Sequence, residues 1–324
     1  MSFHNSHPVS TLAVIVAGGL AFSSPSVAGD LREIKLPGDR AYPESIAAAP
    51  DGTLYVSSPA VGGVWRIKPQ SGTVEEWIKP GAFGSRSTLG VLVDDKANLL
   101  WVCSNDFSSS GIPGPSSVPG SFVKGFDLAS GEGKVSAALP GKATLCNDMV
   151  VGADGSLFVT NSLAPQILRL KPGSSQLEVW LESPAFEQPP EGAPGLDGIA
   201  FGGDGNLYAN NFAKGDFFRV EVRDGAPGKI TKLKPSRPLK FPDGLRSTGG
   251  QTFVMAEGGG VDRVTVNGDR VDVETIKDGI AGPTSVALSG QTLWVSEGQL
   301  PHLFEAAKSG PPRLPFRIVG VPQY

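Results

Sequence analysis

Histidine and cysteine are almost missing from this chain, and their scarcity narrows its chemistry. Three histidines occur in 324 residues. His4 and His7 precede an apolar N-terminal run, leaving His302 for the rest, where it falls in a presumed outer strand. There is no Gly-x-Ser-x-Gly elbow either, so nothing indicates a serine nucleophile activated by an imidazole. Cysteine is confined to Cys103 and Cys146, which do not make a zinc-ligand spacing. In an oxidising compartment the two permit one disulfide, but the sequence leaves that pairing open. Basic runs are lacking and the net charge is −4, which argues against a nucleic-acid surface.

Long apolar runs are lacking too, with one exception. Residues 11–22 (TLAVIVAGGLAF) are too short to span a bilayer comfortably. Ser26-Val27-Ala28 follows and fits the small-x-small cleavage pattern. The expectation is a signal peptide over 1–28, export to the periplasm or the medium, and no membrane association once it is removed. The segment before the apolar run departs from the usual pattern, having neither Lys nor Arg.

What the chain has in quantity is Gly (43) and Pro (28), dispersed along its length. That favours many short strands over long helices. The stretch 145–162 (LCNDMVVGADGSLFVTNS) reads as a hairpin, with apolar strands on either side of Asp154-Gly155. It recurs at 43–58 (PESIAAAPDGTLYVSS), 87–106 (STLGVLVDDKANLLWVCSND) and 195–211 (GLDGIAFGGDGNLYANN). Two further copies lie at 242–258 (PDGLRSTGGQTFVMAEG) and 283–298 (PTSVALSGQTLWVSEG). A second hairpin follows the first in each copy, as in GGVWRIKPQSGTVEEWI and PQILRLKPGSSQLEVWL. Four strands repeating about every 40–50 residues are the signature of a β-propeller. The expected fold is therefore all-β over 29–324, a six-bladed propeller with four-stranded blades. Its last blade would be completed by LREIKL (31–36) and PFRIVGVP (315–322), in an order left open. Residues 108–121 (SSSGIPGPSSVPGS) form a loop, either a lid over one mouth or a solvated surface segment.

Aligning the repeats on their turns exposes one column: Glu44, Thr88, Asn147, Asp197, Asp243 and Thr284. These begin the strands nearest the axis, so they form a ring at one end of the channel. Three are carboxylic acids, and no Lys, Arg or His shares the column. Crowded carboxylates are costly to bury unpaired. A hard divalent cation would resolve the cost, calcium foremost, whereas zinc or copper would call for His or Cys. The second strands return to the same end and finish on Ser58, Asn105-Asp106, Asn161, Asn210-Asn211, Glu257 and Glu297, an outer ring suited to a hydroxyl-rich ligand or to holding the inner ring's side chains in place. Asp148, beside the ring, either contacts substrate or caps its own turn.

Pro43-Glu44, Asn147-Asp148 and Pro242-Asp243-Gly244, each before an inner strand, resemble the senescence marker protein/gluconolactonase family, six-bladed propellers that hydrolyse sugar lactones. The resemblance extends over nearly the whole chain after residue 28. It implies a divalent ion held by Glu44 and Asp243, with Asn147 contacting substrate and completing the coordination. Asp197 stands where that family usually has a ligand Asn. Leu145 stands where sugar-lactone hydrolases often carry an Arg, which opens the way to a less polar lactone or ester. The implied chemistry is metal-assisted hydrolysis of a small molecule, with Asp243 and Asn147 at the reacting centre. Two other readings are a non-catalytic propeller that binds a ligand or a protein partner around a structural ion, and a redox propeller with a quinone-type cofactor. Substrate identity and oligomeric state are left open.

Overall fold

The computed structural model describes residues 1–3, 32–187 and 193–322. The apolar run 11–22 and the tripeptide 26–28 lie outside the described residues, as does Leu31. The architecture is an all-β propeller. β1 (Arg32–Lys35) stands alone before the repeats. The first unit holds β2 (Ile46–Ala48), β3 (Leu54–Ser57), β4 (Val64–Lys68) and β5 (Thr73–Ile78). The second holds β6 (Ser87–Asp94), β7 (Leu99–Asn105), β8 (Phe122–Asp127) and β9 (Gly133–Ala138). The third holds β10 (Cys146–Val151), β11 (Leu157–Asn161), β12 (Gln166–Leu170) and β13 (Leu177–Glu182). The fourth holds β14 (Leu196–Phe201), β15 (Leu207–Asn211), β16 (Asp216–Arg223) and β17 (Ala226–Pro235). The fifth holds β18 (Leu245–Gly249), β19 (Thr252–Glu257), β20 (Gly260–Asn267) and β21 (Arg270–Asp278). The last holds β22 (Pro283–Ser289), β23 (Thr292–Glu297) and β24 (Arg317–Pro322), with β1 paired antiparallel to β24 as its outermost strand.

The expectation of separate four-stranded blades holds for four sheets and needs correction for the other. The fourth and fifth units share one eight-stranded sheet, because their long outer strands meet in a short parallel bridge at Lys234–Arg270 and Pro235–Val271. A second correction concerns the segment after Glu297. Its first part is helical: α1 (Pro301–Phe304) starts with Pro at a position where no N–H is needed, and α2 (Ala306–Ser309) follows. His302 is thus on a helix rather than a strand, its Nδ1 2.9 Å from the Gly310 carbonyl oxygen.

The Asp-Gly turns explain the repeat. Gly52, Gly155 and Gly205 take φ of 87°, 80° and 76°, which only glycine adopts without strain. In each turn the preceding aspartate accepts the backbone N–H of the residue after the glycine, at 2.9 Å from Thr53, 3.0 Å from Ser156 and 3.1 Å from Asn206. The inner strands β2, β6, β10, β14, β18 and β22 touch one another in that order, and β22 returns to β2. The apolar core is divided among the interfaces between neighbouring units; Val91, Val102 and Phe126 pack against Ala47 and Tyr55, for example, and Trp294 and Phe316 pack against Ile46 and Trp65.

Disulfide Cys103–Cys146 ties β7 to β10 across one such interface, with a Cα separation of 5.2 Å. Closing a loop with a sequence separation of 43 stabilises by about 4 kcal/mol in the chain-entropy account. Close approach of the inner strands also depends on glycine: a Cβ on Gly90 would overlap the Asn147 carbonyl, and one on Gly198 the Asp243 carbonyl. Gly198→Ala should therefore lower stability by about 1–3 kcal/mol, read from the urea midpoint, as overpacking does elsewhere. An unchanged midpoint would mean that these strands are not held at contact.

Candidate active site at the channel mouth

The ring side chains are aimed by β-bulges. In β10 the pairing with β11 skips Asn147 and Asp148, and in β14 the pairing with β15 skips Asp197 and Gly198. A bulge turns side chains out of the sheet's alternation, and here it turns them toward the axis. The same register in β6 skips Leu89 and Gly90, because Thr88 pairs with Ser104 and Val91 with Val102. The position expected at Thr88 thus belongs to Leu89: Asp95 directly follows the last paired residue, Asp94, whereas two residues separate Val151 from Asp154, so counting seven back from Asp95 overshoots by one. Thr88 is instead fully buried. Its Oγ1 accepts from Ser58 N–H at 3.0 Å and lies 2.8 Å from the Gly63 carbonyl, binding the second unit to the first.

Glu44, Asn147, Asp148, Asp197, Asp243 and Thr284 surround a space of about 10 Å³, roughly that of one water-sized sphere. Asn147 Nδ2 donates to Asp197 Oδ2 at 2.8 Å and to Ser162 Oγ at 2.9 Å. Asp197 and Asp243 are within hydrogen-bonding reach of one another. Within the ring, the buried oxygens Glu44 Oε2 and Asp197 Oδ1 have no hydrogen-bond donor. Burial, then the charges of Asp197 and Asp148, hold the Glu44 carboxyl well above the ordinary range against a smaller pull from Arg246. Burial, then Asp197 and Glu44, do the same to Asp243. Asp197 is pushed up to about 7, by burial first and Asp148 second.

Arg246 is the functional candidate that sequence reasoning missed. Its Nη1 lies 2.6 Å from Asp148 Oδ2, deeper in the channel than the ring, and Asp148 also accepts from Met149 N–H and Ile199 N–H. The signal was available: three residues after each ring position come Ala47, Leu92, Val150, Ala200, Arg246 and Ala287, a single cation among small and apolar side chains. Asp148 therefore lines the inner space with an ion-pair partner, and it does not reach the mouth.

Above the ring opens a cavity of about 380 Å³, with Glu44, Asn147, Asp197 and Asp243 at its floor. Of the expected outer ring, Asn105 and Asp106 border it, and the Asn105 amide is already committed, donating to the Cys146 carbonyl and accepting the Cys146 N–H, both at 2.9 Å. Asn161, Asn210 and Glu297 border neither space. Asn161 accepts from Leu145 N–H at 3.0 Å, and Asn210 donates to the Asp243 carbonyl at 2.7 Å. Glu297 pairs with Arg317 at 2.6 Å. Thr284 lines the inner space while its hydroxyl donates to the Glu44 carbonyl. These polar side chains satisfy buried backbone groups that would otherwise be orphaned between units. The 108–121 loop reaches the cavity through Ser109, Ser110 and Ser121. It is anchored by the Arg86–Asp106 pair at 2.6 Å and by Arg86 donating to the Val118 and Pro113 carbonyls.

The donor set suits a hard cation: three carboxylates, an amide, two unpaired buried oxygens and room for one small sphere. Among the described residues, no three His, Cys, Asp or Glu side chains close into a ready-made ligand cluster. Here Asp197 and Asp243 turn toward each other and toward Asn147.

Residues 29–67 match the family model described as strictosidine synthase-like, N-terminal. No curated protein matches the sequence. Among solved structures, a gluconolactonase from Xanthomonas campestris is 19% identical and aligns over 91% of each chain with a TM-score of 0.64. The major Malassezia sympodialis allergen is 14% identical over 90% of this chain and 96% of its own, TM-score 0.66. Virginiamycin B lyase from Staphylococcus aureus is 17% identical over 91% and 99%, TM-score 0.58. At such identities the likeness is one of propeller fold, and gluconolactonase-like propellers are among the neighbours that share it.

Carboxyls whose folded pKa lies above the unfolded value bind extra protons in the native state. Stability then falls as pH rises from about 4 toward 7. In chelator-treated protein, Asp197→Asn should raise stability at pH 7.5 by on the order of 2 kcal/mol, with the gain vanishing near pH 4. A thermal melt series would show it; loss of stability at pH 7.5 would mean that the Asp197 charge is already compensated.

Proposed function

We propose that the six four-stranded units act as six blades around one channel, and that the mouth is the active site of a metal-dependent hydrolase of a lactone or ester. The observation that carries this reading is the pair of unpartnered buried oxygens, Glu44 Oε2 and Asp197 Oδ1, at the floor of an open cavity. Glu44, Asn147, Asp197 and Asp243 would hold the ion, with calcium preferred for an all-oxygen set. Bound there, such an ion supplies Lewis-acid polarisation of a carbonyl.

The remaining work falls to side chains. Asp243 accepts a proton from the attacking water as general base. The water oxygen bonds to the carbonyl carbon, the ring C–O bond breaks, and the proton on Asp243 passes to the leaving oxygen. Asn147 would offer its Oδ1 to the ion, because both hydrogens of its amide are held by Asp197 and Ser162. Arg246 pulls against part of the negative charge at the floor, while its partner Asp148 adds to it. Export is part of the same reading, supported by the Cys103–Cys146 disulfide, which persists in oxidising compartments.

A lactone and ester panel, run with and without chelator, tests this. Hydrolysis should fall by about 10²-fold or more on metal removal, return with calcium, and fall comparably in Asp243→Ala. Unchanged turnover after complete metal removal would refute the mechanism. An ion bound without any hydrolysis would favour the binding propeller.

A further inference from the structure

The walls of the mouth cavity differ in kind from its floor. Leu89, Leu145, Leu163, Phe107, Phe212 and Phe304 all face it. Phe107 and Phe304 meet edge to face at 5.2 Å, one from the loop after β7 and the other from α1. Of the polar side chains on the walls, Asn105, Asp106 and Ser121 are spent, and Ser109, Ser110 and Thr144 offer hydroxyls. Asn105 is bound to Cys146, Asp106 is paired with Arg86 and accepts from Ser108 N–H, and Ser121 donates to the Thr144 carbonyl. Among the described residues, no Lys, Arg or His lines the cavity. A polyhydroxylated substrate would exchange water for walls that offer three hydroxyls and are otherwise apolar or spent, which costs affinity. An anionic tail would meet Asp106 and no Lys, Arg or His on the walls.

From this, and resting on the acyl-hydrolase reading of the floor, we infer that the substrate is a neutral lactone or ester with an apolar tail. Its carbonyl end meets the floor, and its tail lies along the leucine wall beneath the Phe107–Phe304 pair. Leu145 and the two phenylalanines set specificity.

The test uses the full chain with calcium and two compound series. One is γ-lactones from γ-butyrolactone to γ-decalactone, with glucono-δ-lactone as the hydroxylated comparison. The other is 2-alkylcyclopentanones, which keep the carbonyl and tail but have no cleavable ester; their binding is read by displacement of N-phenyl-1-naphthylamine. Both kcat/KM and ketone affinity should rise about fourfold per added methylene until the cavity is filled. Phe304→Ala should flatten both slopes, and Leu145→Arg should lower affinity for the longest ketones. Flat slopes in both series, or a preference for glucono-δ-lactone, would overturn the inference while leaving the hydrolase reading intact. Graded ketone binding with no lactone hydrolysed would do the reverse, supporting the apolar tail and removing the hydrolase.

Discussion

Three carboxyl groups buried together at the end of the channel are the constraint on which the rest of this structure depends. Glu44, Asp197 and Asp243 are 4%, 3% and 7% exposed, and none has a cation beside it. Burying one unpaired charge costs several kcal/mol, against a net stability of about 5–15 kcal/mol for a folded protein. The chain meets the cost in parts. Asn147 donates to Asp197, Asp197 and Asp243 come together, and Arg246 pulls against a negative charge to which its partner Asp148 adds. What is left over, on Glu44 and on one oxygen of Asp197, is what the proposed ion would take up.

Keeping that arrangement in place is a matter of joining neighbouring units. The inner strands approach so closely that glycine is required at Gly90 and Gly198. Side chains then cross from one unit to the backbone of the next, as from Asn105 to Cys146, Asn210 to Asp243 and Thr284 to Glu44. The disulfide adds a covalent link one residue before Asn147. A ring built this way resists the outward motion that mutual repulsion of the carboxylates would drive.

Much of this was legible in the sequence, because the Asp-Gly turns have a local cause and repeat with it. Glu44, Asn147 and Asp197 could be aligned from those turns, and Asp243 from the second strands. Leu89 could not, because its place depends on where a bulge interrupts pairing, and Asp95 stands closer to the paired strand than the other turn aspartates do. The outer asparagines looked like ligand contacts because an amide bound to backbone and an amide facing water have the same spelling. Arg246 was readable and overlooked, since attention fell on the ring and not on the layer beneath it. The fused eight-stranded sheet depends on two pairs between outer strands, a contact between units that leaves no periodic trace.

The most direct test of the account is calorimetric titration of calcium into chelator-stripped protein, with Glu44→Gln as the comparison. The account predicts one site per chain in the wild type, with proton release because carboxyls held above their ordinary pKa must ionise to bind, and no measurable site in the variant. Absence of binding by the wild type, or equal binding by Glu44→Gln, would contradict it.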